Sequence, residues 1–359
     1  MLCKQRIRIL GLIGALAVAA VSASAQEKAA ETPKVVVEAD GTVQVPEQKV
    51  PTSEFLSPEA KTYLTQHLLD MQQPDKLKPV NGVPGFMVQM LQSDRDQFPL
   101  DRQDTRIGGV HVYDYTPKSG VKPGNKHRVL INLHGGGFSG CWPGCAELES
   151  IPISSLMGIR VVSVDYREGP ENKFPAASED VASVYKELLK THKPDQIGIY
   201  GCSAGGMLTA MSIAWFQKHD LPMPGAIGIY CASAGSFGGD SAYVAFPLGE
   251  ARMPGAFGRS LKPLGYFSDA DMKDPLVTPI ESKEVMAKFP PTLLISGTRD
   301  FAYSGTLYTD EQLSKLGVPV ELHIWEGLFH GFFYNPDVPE SRDAFQVMIR
   351  FFDKHLAKN

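Results

Sequence analysis

The stretch Gly201-Cys202-Ser203-Ala204-Gly205 places a serine between glycines as G-x-S-x-G, after an apolar run at residues 197–200 and before a helix-compatible run starting at Met207. Between a strand and a helix this spacing makes a nucleophile elbow: glycine lets the backbone turn tightly enough to expose the serine at the helix N-terminus. With 34 glycines in 359 residues the match also arises by chance, so Ser203 needs partners. A serine hydroxyl is a weak nucleophile at neutral pH and requires a base, which in turn requires an orienting acid. Four of the nine histidines follow Ser203. His219 lies near the end of the helix after the serine, His323 within an apolar run, and His355 in a C-terminal amphipathic segment; His330 stands in a loop, in "EGLFHGFF". That position, and the chain order Ser, acid, His, point to His330 as base. The acid is expected after the preceding run, where "LLISGTRDF" offers Asp300, with Asp310 and Glu326 as rivals. Donors for a tetrahedral oxyanion are expected from His134-Gly135-Gly136-Gly137-Phe138, whose glycines let backbone N–H groups approach a carbonyl, joined by the N–H of Ala204. His134 is read as holding this loop. A phosphate-binding reading of the loop fails because neither G-x-x-x-x-G-K-[ST] nor the dinucleotide glycine spacing is present.

These residues must be held by something, and the chain supplies a regular frame. Short apolar runs stand at residues 129–133, 161–164, 197–200, 226–230, 292–295 and 320–325, separated by helix-length segments. Most are apolar throughout, as in strands covered on both faces. Val181, Val184, Tyr185, Leu188 and Leu189 make one helical stripe; Phe345, Met348, Ile349, Phe352 and Leu356 make another. The fold class is therefore α/β with a mainly parallel sheet, and in such sheets chemistry gathers at the carboxyl ends of the strands. Upstream, residues 35–39 and 42–45 flank Asp40-Gly41 and predict a hairpin with a two-residue turn, and Ser57-Pro58 predicts a helix start.

Lys4, Arg6 and Arg8, the apolar run at residues 9–21 and Ala23-Ser24-Ala25 form the pattern of a secretory signal peptide at residues 1–25. The run is shorter than the ~20 residues of a membrane span. An exported protein, periplasmic or extracellular, is expected, with a flexible extension at 26–50 and a single domain over 51–359. Without the leader, 32 basic residues face 40 acidic ones, a balance that argues against nucleic acid or anionic membrane as partner.

Taken in order, "HGGGF", the segment at residues 164–181 containing "VDYREGPENKFPAASEDV", "GCSAGGM", "DPLVTP", "GTRD" and "FHGFF" resemble the hormone-sensitive-lipase-like carboxylesterases of the α/β-hydrolase superfamily. The resemblance implies the α/β-hydrolase fold, Ser203, Asp300 and His330 as triad, and Gly136, Gly137 and Ala204 as oxyanion donors. No cofactor and no metal are expected. The resemblance also implies a cap built from the N-terminal segment, roughly 51–95, and an insertion after the sixth core strand, roughly 235–270. That insertion holds seven glycines and six aromatic rings, a composition that suits a mobile lid over an acyl pocket. Two departures bear on substrate preference: Cys202 stands where most relatives carry aspartate, and Glu168-Gly169 replaces the usual leucine-alanine.

The expected function is hydrolysis of short to medium acyl esters through an acyl-enzyme. A serine peptidase or amidase on the same scaffold is an alternative, weakened because no second large domain precedes the core. A non-enzymatic ligand binder is another, disfavoured by the presence of His330. Four cysteines follow the leader. In an oxidising compartment Cys141 and Cys145 are expected to pair across a tight turn at Pro143-Gly144, with a Cys202–Cys231 pair or free thiols as alternatives. A metal pair is discounted because no further cysteine or histidine stands at ligand spacing.

Overall fold

Eight strands lie side by side in one sheet, and the order in which they pair decides which loops meet. The computed structural model describes residues 34–254 and 265–358; the leader at 1–25 and the part of the insertion at 255–264 lie outside them. The chain divides after Val50 into two units. In the first, β1 (Val36–Val37) pairs antiparallel with β2 (Val43–Gln44). The expected hairpin is present, but its loop is longer than two residues: Gly41 N–H donates to Glu38 O (3.0 Å) and Glu38 N–H to Thr42 O (2.8 Å). Gly41, at φ +89°, supplies the left-handed residue that such a loop requires.

The second unit begins with α1 (Pro58–Met71), started where Ser57 Oγ accepts from Ala60 N–H at 3.0 Å. After α2 (Pro74–Leu77) come a two-stranded ribbon, β3 (Pro79–Val80) and β4 (Val83–Pro84), and α3 (Val88–Gln97). The sheet then starts with β5 (Leu100–Ile107) and β6 (Val110–Pro117), an antiparallel pair joined at Gly108-Gly109, both at positive φ. It continues through β7 (Val129–Leu133), α4 (Gly144–Met157), β8 (Arg160–Val164), α5 (Ala176–Leu188), β9 (Ile197–Cys202), α6 (Ala204–Lys218) and β10 (Ala226–Tyr230). After α7 (Ser241–Glu250) and α8 (Lys283–Met286), the chain closes with β11 (Thr292–Gly297), α9 (Tyr303–Lys315), β12 (Val320–Trp325) and α10 (Pro339–His355). The strand order is β12-β11-β10-β9-β7-β8-β6-β5, parallel from β12 to β8 and antiparallel at β6 and β5.

The central strands are apolar on both sides because both sides are covered. Along β7, Val129, Ile131 and Leu133 join the core beneath α5 and α6, while Leu130 points into a second core beneath α4 and α10. Ile197 and Ile199 repeat the first direction in β9, Tyr200 and Cys202 the second. Fully burying one such Val, Leu or Ile is worth about 1.5–3 kcal/mol, more than the ~1 kcal/mol span of strand propensities, so packing sets these elements. Among the described residues no helix is long and apolar enough to cross a membrane.

Candidate active site

The strand order puts β9 near the middle of the parallel strands, with β7 on one side and β10, β11 and β12 on the other. Loops at their carboxyl ends therefore approach Ser203 from opposite directions. Ser203 sits between β9 and α6 at φ 57°, ψ −119°, a conformation L-residues rarely adopt. What forces it there is steric. A Cβ on Gly201 or on Gly205 would collide with the Leu133 carbonyl at the end of β7, so the chain can turn over that carbonyl only with glycine on both sides of the serine. Ser203 N–H donates to Tyr230 O (2.8 Å), and Ser203 O accepts from Met207 N–H (3.0 Å), which starts α6.

Across the sheet, His330 Nδ1–H donates to Asp300 Oδ1 at 2.8 Å. Strands spaced ~4.8 Å apart place β11 about 10 Å and β12 about 15 Å from β9, so the loop after β12 must reach back over the sheet end to bring His330 to the serine side. Asp300 is fully buried and accepts two further hydrogen bonds, from Ser296 Oγ and from Ala302 N–H, each 2.8 Å. Burial by itself would raise this carboxyl, but the His330 charge and hydrogen bond, with those two donors, hold it below the ordinary carboxylate value. His330 moves the other way. Burial opposes its charged form, yet the charge and hydrogen bond of Asp300, with Glu250 and Glu149 farther off, raise it above the ordinary imidazole value. The Phe301 ring stacks on the imidazole at 4.2 Å and fixes its plane. Of the rival acids, Asp310 lies on α9, and Glu326 is exposed and engaged by Thr298 Oγ1 at 2.8 Å.

On the β7 side, Gly136 (φ +123°) and Gly137 (φ +66°) open the loop, and a side chain on Gly136 would collide with the Gly140 carbonyl. Among the described residues neither of their N–H groups meets an acceptor. His134 is wholly buried and stacked on Tyr166 at 4.4 Å, and burial pushes its imidazole down to about 4. It is a neutral support of the loop, as its place suggested. Tyr166 OH donates to His134 O at 2.7 Å and ties the same turn down.

Ser203, His330, Gly136 and Gly137 line one cavity of about 840 Å³, while Ala204, 1% exposed, begins α6 beneath it. Part of the remaining wall comes from the two stretches read as a cap, Pro79, Pro84 and Met87 from the first and Phe246, Glu250 and Met253 from the second, and part from Cys141, Trp142, Phe301 and Tyr334. Among the described residues that line this cavity, neither Cys202 nor Glu168-Gly169 is found. Cys202 is buried between the sheet and α4, and Gly169 is small because Tyr266 backbone packs against it. Sequence reasoning gave no role to Ser296 and Phe301, although both stand in the stretch that offered Asp300, nor to Glu250, which belongs to no motif.

The structure pairs Cys141 with Cys145, with α-carbons 5.4 Å apart, on the cavity rim. The expected tight turn connects them, at Trp142-Pro143, and runs straight into α4. Cys145 N–H donates to Cys141 O (2.9 Å) as the first turn of α4 forms, and Gly144 is glycine because a Cβ there would collide with Val83. Cys202 and Cys231 are buried, unpaired thiols, contrary to the alternative pairing. Donor atoms of Cys231, Asp300 and His330 lie within 4.8 Å of one another, the one such group among the described residues. Burial raises the Cys231 thiol well above its ordinary range, while the hydrogen bond its sulfur accepts from Gly331 N–H at 3.3 Å works in the opposite direction.

Comparison with known proteins agrees with this frame. An acetyl-hydrolase of Streptomyces hygroscopicus is 26% identical over 257 residues, covering 71% of this chain and 85% of that one. The crystal structure of an esterase, E25, superposes with a TM-score of 0.75 at 28% identity, covering 88% of this chain and 99% of that one. A hormone-sensitive-lipase homologue, EstE7, from a metagenome library shares the fold at 23% identity, with a TM-score of 0.70 over 83% of this chain and 99% of that one. A family model described as alpha/beta hydrolase fold matches residues 130–334, which run from β7 to the loop carrying His330, and the chain belongs to that family.

Proposed function

We propose that the protein is an exported carboxylic-ester hydrolase of short to medium acyl esters, with Ser203 as nucleophile, His330 as base and then acid, and Asp300 as the group that orients it. The carrying observation is the 2.8 Å His330–Asp300 hydrogen bond at a cavity that Ser203 also lines. Ser203 Oγ attacks the ester carbonyl carbon while its proton passes to His330; the oxyanion is met by the N–H groups of Gly136, Gly137 and Ala204. The C–O bond breaks, His330 returns the proton to the alcohol, and water repeats the sequence on the acyl-enzyme to release the acid. The names of its relatives, acetyl-hydrolase and esterase, support this class. The basic and then apolar leader supports export, and the cavity walls support residues 51–95 and 235–270 as cap.

The test is a series of p-nitrophenyl esters from acetate to palmitate, with an anilide beside them. The expected result is a kcat/KM maximum at short or medium chains, saturation kinetics on soluble esters and much slower anilide cleavage. Strong activation by emulsified long-chain triglyceride, or an anilide cleaved as fast as the ester, would contradict the proposal.

The pH dependence follows from the sign of the His330 shift. A raised pKa means the imidazole keeps its proton to higher pH, so the free base is lost earlier on acidification. The kcat/KM profile should therefore rise through a midpoint above the ordinary ~6.5 and lie flat beyond it. Glu250→Gln removes one of the carboxylates that hold the proton, and the midpoint should move down. A wild-type midpoint at or below 6.5 would count against the arrangement.

A further inference from the structure

Glu149 lies on α4, outside every motif, with 3% of its surface exposed. Its carboxylate accepts four hydrogen bonds. Oε1 takes Gly135 N–H at 2.8 Å and Tyr334 OH at 2.9 Å; Oε2 takes Asn132 Nδ2–H at 2.8 Å and Cys202 N–H at 3.2 Å. Those donors fill the roughly four lone-pair sites of an ionised carboxylate. They also come from separate parts of the site: Asn132 from β7, Gly135 from the glycine loop, Cys202 from the residue before the nucleophile, and Tyr334 from the turn after His330. Among the described residues no Lys or Arg is hydrogen-bonded to this carboxylate; burial pushes it up to about 7, against the four donors, which pull it back toward the ionised form.

A buried charge is a poor way to add stability, since well-packed apolar replacements are often neutral or better. What it does well is fix direction, because each of its oxygens demands a donor at a set place. Two of the four donors are N–H groups one residue upstream of Gly136 and of Ser203. We propose that Glu149 is a positioning residue, a common anchor that holds the oxyanion loop and the nucleophile elbow in register with the loop bearing His330. The proposal rests on the ester-hydrolase reading above and adds a residue to it. Oxyanion donors act only when aimed at where the charge develops, so loosening the anchor should cost transition-state binding more than substrate binding.

Glu149→Gln tests this, because the amide nitrogen turns a donor toward one pair of donors while the volume stays the same. On p-nitrophenyl butyrate, kcat is expected to fall on the order of 10²-fold with KM changed by less than about threefold. The inhibition constant of a trifluoromethyl ketone, which adds the serine oxygen to its carbonyl carbon and leaves an oxyanion in the hole, should rise by a similar factor. Tyr334→Phe removes one donor without altering the backbone. It should give a smaller loss, several-fold, with the same proportionality, and it serves should Glu149→Gln fail to fold. A kcat within threefold of wild type in both variants, or a loss of kcat with unchanged ketone affinity, overturns the proposal. Ser203→Ala run alongside separates the two claims: if it keeps full activity the hydrolase reading falls, and if it alone is inactive only the role of Glu149 falls.

Discussion

Ser203→Ala is expected to lower kcat for ester hydrolysis on the order of 10⁵- to 10⁶-fold while leaving the thermal midpoint within a few degrees of wild type. The first half follows from chemistry: the variant has no oxygen to form the acyl-enzyme, and only the cavity and the oxyanion donors remain to assist water. The second half follows from the local structure. The strain at φ 57° belongs to the backbone and is borne by any L-residue there, so alanine adds none. The hydrogen bond from residue 203 N–H to Tyr230 O uses the main chain and survives, as do the glycines that pass over Leu133. Kinetics on p-nitrophenyl butyrate and a melting curve measure the two halves. A fluorophosphonate should add its mass to the wild-type protein at Ser203 and leave the variant unmodified; labelling at any other residue, or retained turnover, would refute the mechanism.

Asp300→Asn should be nearly as damaging, on the order of 10⁴-fold in kcat with KM close to wild type. Asp300 Oδ1 receives His330 Nδ1–H, and its other oxygen receives Ser296 Oγ–H. An amide keeps the shape but carries hydrogens on one of those two atoms. When the amide nitrogen faces the imidazole, Nδ1 must become the acceptor and the ring proton moves to Nε2, the atom that has to take the serine proton. The base is then present in the wrong tautomer. The charge that raises His330 is also removed, so residual activity should persist to lower pH than in the wild type. Glu326→Gln is the matched control. Glu326 is exposed and holds Thr298 instead of the histidine, so its variant should keep most of the activity. If Glu326→Gln does the damage and Asp300→Asn does not, the acid has been misassigned.

The two antiparallel strands, β5 at the sheet edge and β6 beside it, show where sequence reading stopped. Residues 100–107, Leu-Asp-Arg-Gln-Asp-Thr-Arg-Ile, are largely exposed in β5, and an exposed strand has no apolar pattern to announce it. The one local signal was Gly108-Gly109, the pair whose positive φ angles turn the chain back into β6. The buried strands were visible for the opposite reason: two covered faces leave room for only a few polar residues, such as Asn132 and Ser296, each hydrogen-bonded.

Legible in the sequence alone were the glycine-flanked serine turn, the glycine loop and the order of acid and histidine, because a steric demand on the backbone leaves glycines at fixed local spacing even where the colliding group is distant along the chain. Gly201 and Gly205 are glycine for one collision with Leu133, and a collision of that kind leaves a mark at fixed spacing. The disulfide partners and the tight turn between them could likewise be named from a four-residue separation, although Gly144 itself answers to Val83 some sixty residues upstream. Only the tertiary structure decided that Asp300 and not Glu326 faces His330, that Cys202 and Cys231 remain free thiols, and that Glu149 collects donors from four segments. A buried carboxylate takes whatever donors packing brings to its oxygens. Those donors lie between 14 and 185 residues from Glu149 along the chain, so no spacing rule could reveal them.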